Sequence, residues 1–287
     1  MNKILYGVCG IGSGHTYRQL PLIEHFSKSC LVVIFAYGYS YDFYYKRFKD
    51  SVNVKVLPVA VPFYIANENG IDLKVTEELP RNKNIDFKSI NSKAKKEAFK
   101  ILGVPNVVIT DYEPISAEYA YEHNVPLVTI DQQSKYLYGD FPESLNGFSY
   151  KDEVARLKFF FPKANTRIAC SFFNIKKRSD GEEVKIVSPV LKEEVVNMNR
   201  TLSRDSSILV YISSARPFSQ SPLEIAKVLQ RQAETKFDIF LGEGESYLSK
   251  DFLNSNLKFH THGDESFYDV LRSCTGIIST AGHSLLS

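Results

Sequence analysis

His15 and Arg18 stand directly behind three glycines, Gly10, Gly12 and Gly14, in the stretch KILYGVCGIGSGHTYRQLPLIEHF (Lys3–Phe26). A short apolar run precedes the glycines and a helical pattern follows them. A glycine-rich turn between a strand and a helix brings backbone amides close to an anion, and the helix start adds partial positive charge. An imidazole there can serve as a general base or donate to a phosphate. Arg18 follows at helical spacing and shares that face. A capping or packing histidine is the structural alternative, and the residues alone leave both open.

The usual owners of such a loop do not fit. A P-loop ends in Gly-Lys-Ser/Thr, but Gly14 is followed by His15-Thr16. A dinucleotide fingerprint needs G-x-G-x-x-G and an acid at the end of the next strand. His15 stands where the third glycine belongs, and LVVIFAYG ends in Tyr37-Gly38. Nicotinamide and flavin binding are therefore disfavoured.

Further polar residues follow strand-like runs. Asp111 and Glu113 lie in TDYEP, and Asp131 and Gln132 in IDQQS. They are candidates for an acceptor side, with Asp111 or Asp131 orienting His15 or a substrate hydroxyl; helix capping by Asp111 is the alternative. Later, Ser213-Ser214-Ala215-Arg216 follows a strand, and Ser279-Thr280-Ala281-Gly282-His283-Ser284 links a strand to a helix. Small residues with free amides suit a diphosphate, and Arg216 suits a phosphate. A capped βα turn and a surface arginine are the plainer readings.

The elements that must position these residues alternate. ILYGV, CLVVIFAY, VNVKVLPV, NVVITD, PLVTID and TRIACSFF are short, nearly continuous apolar runs, as in strands covered on both faces. Helical patterns lie between them at Tyr17–Lys28, Asp42–Lys49, Ser92–Leu102, Glu113–His123 and Asp152–Phe160. A second series, SILVYISS, FDIFLGE, LKFHTHG and TGIIST, carries helical patterns at Pro222–Thr235 and Glu265–Ser273. The fold class is α/β with two Rossmann-like halves, residues 1–187 and 188–287, the second incomplete.

Composition agrees with a soluble globular chain of 287 residues, 44% hydrophobic. A net charge of +2 gives no argument for a nucleic-acid partner. Cys9, Cys30, Cys170 and Cys274 lack metal-ligand spacing and read as buried thiols in a reducing compartment. No signal peptide or membrane-spanning run is evident, so a cytoplasmic protein is expected. The aromatic stretch FAYGYSYDFYYKRF (35–48) reads as core packing, with a sugar- or lipid-binding surface as the alternative. The basic segment 81–100 reads as a solvated helix face, with peripheral contact to anionic lipid as the alternative.

With these motifs in order, the chain resembles the GT-B glycosyltransferases. GIGSGHTYRQLPLIEHF is similar to their G-x-G-x-G-H-x-x-R signature. The resemblance is nearest the family 28-type enzymes, which include the N-acetylglucosaminyl transferase of peptidoglycan lipid precursors. IVSPVLKEE resembles their interdomain linker, SILVYISSARP the first donor-domain strand, and FLGEGE and FYDVLRSCTGIISTAGHSLLS the later ones. The resemblance implies sugar transfer from a nucleoside-diphosphate sugar, UDP-linked, to an acceptor hydroxyl, with no metal and no resident cofactor. His15 falls on the family's candidate general base, a task that suits an imidazole neutral near pH 7; Asp111, from its place after a strand, joins it as the catalytic candidate that orients it. Gly12, Gly14, Ser214, Arg216, Thr280, Ala281, Gly282, His283 and Ser284 fall on the donor side, and Arg18, Glu113, Asp131 and Gln132 on the acceptor side. It implies a lipid- or glycan-linked acceptor in cell-envelope synthesis, at the inner face of the membrane. Family members continue past the position of Ser287, so a C-terminally truncated chain is expected. A nucleotide-sugar 2-epimerase and a non-catalytic nucleotide- or glycan-binding fragment are the competing readings.

Overall fold

The computed structural model describes residues 1–11, 13–61, 66–67, 70–71, 85–145, 148–191, 193–201, 207–212, 222–242, 248–252 and 255–279. Two compact units divide the chain, one built from Met1–Phe63 and Glu78–Val190 and the other chiefly from Leu191–Leu286.

The first unit holds strands β1 (Asn2–Val8), β2 (Cys30–Ala36), β3 (Val54–Pro58), β4 (Val107–Asp111), β5 (Leu127–Asp131), β6 (Thr166–Cys170) and β7 (Lys185–Val187). They form one parallel seven-stranded sheet in the order β7-β6-β5-β4-β1-β2-β3. The first six match the apolar runs. β7, Lys-Ile-Val, is too short and too exposed to show an apolar signal. Both faces of the sheet are covered, which explains runs without alternation. Along β1, Ile4, Tyr6 and Val8 join one core, while Leu5 and the following Cys9 join the other.

From β1 the chain winds outward to β3, then returns to pair β4 with the other side of β1. This reversal is the topological switch point, where open α/β sheets place their ligands at the carboxyl ends of strands. It sets Val8 beside Asp111, with Cys9 N–H donating to the Asp111 carbonyl at 3.0 Å.

Helices α1 (Gly14–Ser27), α2 (Gly38–Phe48), α3 (Phe87–Leu102), α4 (Pro114–His123) and α5 (Tyr150–Phe160) flank the sheet. α1 begins at Gly14 rather than Tyr17, so His15 lies inside its first turn. Gly10 is pressed against α2's N-cap: a Cβ there would collide with the Tyr37 carbonyl. Ser40 Oγ, in α2, donates to the Cys9 carbonyl at 2.6 Å and meets Thr16 Oγ1 at 2.7 Å. The aromatic stretch divides accordingly. Tyr37 and Tyr44 are buried, whereas Tyr39 and Tyr45 are exposed. In α3, Ala94, Ala98 and Leu102 make the buried stripe, and Lys95 bridges to Glu118 and Glu122 at 2.9 and 2.6 Å. Residues 81–84 of the basic segment lie outside the described residues. Cys9, Cys30, Cys170 and Cys274 are buried free thiols.

Glu113 caps α4. Its two carboxyl oxygens accept from Ile115 N at 2.8 Å and Ser116 N at 2.7 Å, and the side chain is fully buried. Burial pushes its pKa up to about 7, although the two amides and the Ser116 hydroxyl pull the other way. Gly7 of β1 passes this cap closely enough that a Cβ would strike the Ser116 side chain and Glu113 Oε2.

The second unit has strands β8 (Ile208–Tyr211), β9 (Phe237–Leu241), β10 (Leu257–Thr261) and β11 (Gly276–Ser279), parallel in the order β10-β9-β8-β11. Helices α6 (Pro222–Gln230) and α7 (Ser266–Ser273) accompany them. His260 ties this sheet together: its Nε2 lies 2.6 Å from Asp238 Oδ1 on β9 and its Nδ1 3.0 Å from Ser266 Oγ at the head of α7. Among the described residues no helix is long and apolar enough to cross a membrane.

Two outcomes follow from the Gly7–Glu113 contact. Gly7→Ala is expected to cost about 1–3 kcal/mol by overpacking, read as a lower urea midpoint. Gly276→Ala, whose new Cβ meets nothing nearer than 4.0 Å, should stay within about 0.5 kcal/mol. Because the folded pKa of Glu113 is raised, its contribution is fully present below about 4.5 and is lost as pH rises through about 7. Glu113→Gln should therefore gain stability relative to wild type across that window in thermal melts; a constant difference would refute the assignment.

Candidate functional site

Asp111, at the carboxyl end of β4, is the centre of the site and is fully buried. Three side chains from the first turns of α1 converge on it. Arg18 Nη2 donates to Oδ1 at 2.9 Å and to Oδ2 at 2.8 Å. Gln19 Nε2 donates to Oδ2 at 2.9 Å and to the Ile130 carbonyl at 3.0 Å, while its Oε1 accepts from Tyr6 Oη at 2.6 Å. His15 Nδ1 lies 3.0 Å from Oδ1. Burial would push the Asp111 pKa up, but Arg18 and His15 outweigh it and hold the carboxyl below its usual range.

His15 Nδ1 also lies 2.9 Å from Arg18 Nη2. One ring nitrogen cannot donate to a carboxylate and accept from a guanidinium together. An unprotonated Nδ1 would set its lone pair against an ionised oxygen, so we assign the Nδ1 proton to the Asp111 bond. This leaves Nε2 as the nitrogen that can gain or lose a proton. Burial acts to lower the His15 pKa. The Asp111 charge and hydrogen bond, with a smaller part from Cys9, raise it instead, to about 10. That departs from the expected neutral imidazole, because the partner carboxylate is buried and close. Its stabilising share is complete below the free value near 6.5 and is lost as pH passes about 10.

Tyr112 follows Asp111 with a positive φ of 56°, a strained conformation for a non-glycine residue. Its ring lies against that of His15, centroids 6.4 Å apart. One strand over, Asp131 is fully buried and turned toward its own loop: Oδ1 accepts from Ser134 N at 2.6 Å and Oδ2 from Ser134 Oγ at 2.9 Å. Burial raises its pKa to about 6 against these bonds. Gln132 is half-buried beside it.

The structure therefore brings His15, Arg18 and Asp111 into one cluster. Glu113 and Asp131 are satisfied within their own turns. Gly14 is the first residue of α1. Gly12, Ser214, Arg216, Thr280, Ala281, Gly282, His283 and Ser284 lie outside the described residues. Three participants escaped sequence reasoning. Gln19 carried a weak signal, since it shares the helix face of His15. Tyr112 and the buried Lys135 carried none, because burial and backbone strain are tertiary properties.

The sequence model of glycosyl transferase family 1 matches residues 2–287. Arabidopsis thaliana UGT89C1 complexed with UDP-L-rhamnose shares the fold with a TM-score of 0.57 at 12% identity, over 99% of this chain and 76% of that one. Acinetobacter baumannii MurG gives a TM-score of 0.54 at 15% identity, over 99% and 74%. HepE of Anabaena in complex with UDP and glucose gives 0.54 at 14%, over 96% and 73%. No curated protein sequence matches significantly. The shared architecture is GT-B, two Rossmann-like parallel sheets in one chain. The MurG likeness agrees with the family 28-type resemblance at the level of the fold. The chain belongs to glycosyl transferase family 1.

Proposed function

We propose that this protein transfers a sugar from a nucleoside-diphosphate sugar, UDP-linked, to an acceptor hydroxyl, with His15 as the general base. The observation that carries the reading is the His15–Asp111 pair, 3.0 Å apart at the head of α1 and at the sheet's switch point. Family membership supports it, as do the complexes of UGT89C1 with UDP-L-rhamnose and of HepE with UDP and glucose.

In this reading Nε2 of His15 takes the proton of the acceptor hydroxyl. The hydroxyl oxygen bonds to the anomeric carbon as the bond from that carbon to the diphosphate oxygen breaks. The diphosphate leaves with the electron pair, and the single displacement inverts the anomeric centre. Asp111 holds Nδ1–H and stabilises the imidazolium that forms. Arg18 and Gln19 are positioning residues that keep the carboxylate ionised and oriented. Gly12 and Gly14 at the loop, and Ser214, Arg216 and Thr280–Ser284 in the second unit, are assigned to the donor, where amides and a guanidinium neutralise the diphosphate without a metal. We place the acceptor among lipid- or glycan-linked hydroxyls of cell-envelope synthesis, on the family 28-type resemblance. The acceptor is met at the cytoplasmic face of the membrane, with the basic 81–100 segment toward anionic lipid.

Direct binding of UDP, compared with CDP, GDP and dTDP by calorimetry, tests the donor; equal affinity for all four would remove the uridine assignment. His15→Ala and Asp111→Asn should each lower kcat about 10²–10⁴-fold while leaving UDP affinity unchanged, and full activity in His15→Ala would exclude the base. Only neutral His15 accepts a proton, so kcat should rise with pH toward about 10. Arg18→Gln removes a cation competing for Asp111 and should move that limb to higher pH. Asp111→Asn should move it to lower pH.

A further inference from the structure

Buried atoms such as Arg18 Nε and Arg167 Nη1 lack a hydrogen-bond partner, but those guanidiniums are anchored through their other nitrogens, whereas Lys135 has no such anchor among the described residues. It follows β5 directly, in the single helical turn Lys135–Tyr138, and is only 5% exposed. Among the described residues its ammonium donates to no hydrogen-bond acceptor and meets no carboxylate. Asp131, which acts on it electrostatically, gives both oxygens to Ser134. Nζ instead lies 5.3 Å from the centre of the Tyr136 ring and 5.1 Å from that of Phe173. Ring faces recover only about 0.5–2 kcal/mol for a cation, whereas a buried ion without a counter-ion costs several kcal/mol. The groups that act on it electrostatically are Arg18, Asp131 and Cys170. Burial and Arg18 lower the ammonium pKa to about 8, against Asp131 and Cys170.

The surroundings are aromatic and partly open. Phe172 and Phe173 are each 42% exposed and pack edge to face. Tyr136 meets Phe141 and Tyr150 with ring centroids 4.9 and 5.0 Å apart. β5, which leads into Lys135, pairs with β4, which leads into Asp111.

We propose that Lys135 is an anion-binding subsite that holds a phosphate or carboxylate of the acceptor, with the Phe172, Phe173 and Tyr136 rings covering the apolar part attached to it. The assignment to the acceptor rests on the transferase reading; the anion site itself does not. A ligand oxyanion supplies the acceptor that the protein withholds from Nζ, and the rings reward an amphipathic anion over a bare one. Lys135 thereby selects the acceptor without touching the proton transferred at His15.

Octyl phosphate, octanoate and octanol are the probes, titrated calorimetrically into the full chain. Either or both anions should bind at least tenfold more tightly than octanol, and which of them binds identifies the oxyanion. Lys135→Met should abolish that discrimination, and Lys135→Gln, whose amide can still donate, should retain part of it. His15→Ala should leave it intact. Thermal melts identify which Lys135 variants are folded. Equal affinity for octanol and both anions in wild type, or unchanged anion affinity in a folded Lys135 variant, would overturn the subsite. UDP binding and sugar transfer are measured separately on the same variants. If transfer fails while Lys135-dependent anion binding persists, the transferase reading falls and the anion site stands; the opposite pattern removes only the anion site.

Discussion

A carboxylate without solvent must be surrounded by donors or give up its charge. Asp111 is in that position, and the architecture around it is the answer. Its donors, His15, Arg18 and Gln19, come from one helix at positions that share a face. Their convergence holds the head of α1 against the end of β4, across the switch point of the sheet. Gly10 lets the intervening loop lie against Tyr37, and Ser40 and Thr16 join α2 to the same corner. The loop's form thus follows from the need to neutralise one buried charge, and its glycines serve packing as well as access.

The same cluster makes structure and chemistry hard to separate. Arg18 and His15 share one carboxylate, and the contact of His15 Nδ1 with that carboxylate fixes the Nδ1 proton. The buried acids nearby behave differently. Glu113 and Asp131 take their hydrogen bonds from amides and hydroxyls of their own turns, so they shape loops rather than neighbouring side chains. A sequence shows the acids as equivalent candidates at strand ends. Only the donors around each separate a side chain that orients an imidazole from one that caps a turn.

Lys135 contrasts with both patterns. Asp111, Glu113 and Asp131 each take donors on both carboxyl oxygens, yet among the described residues the Lys135 ammonium meets aromatic rings and no carboxylate. Unpaired charge in an ordered interior is costly, and its persistence beside a candidate site is a physical reason to look for a ligand that completes it. The likeness to glycosyltransferases, at identities of 10–15%, reaches the fold; specificity resides in side chains such as this one.

The sequence by itself determined the architecture. Continuous apolar runs alternating with helical patterns define parallel strands covered on both faces, because burial on two sides leaves no polar alternation, and among the described residues ten of the eleven strands of the two parallel sheets were legible in this way. The three-residue β7 was not, since too few residues carry its pattern. The glycines and His15 also marked the loop. The tertiary structure decided what the polar residues do. It joined His15 to Asp111 across 96 residues of chain, gave Glu113 and Asp131 to their own turns, and exposed the missing partner of Lys135. Pattern along the chain records which face of an element is buried, whereas the charge and hydrogen bonding of a side chain depend on neighbours that only folding supplies.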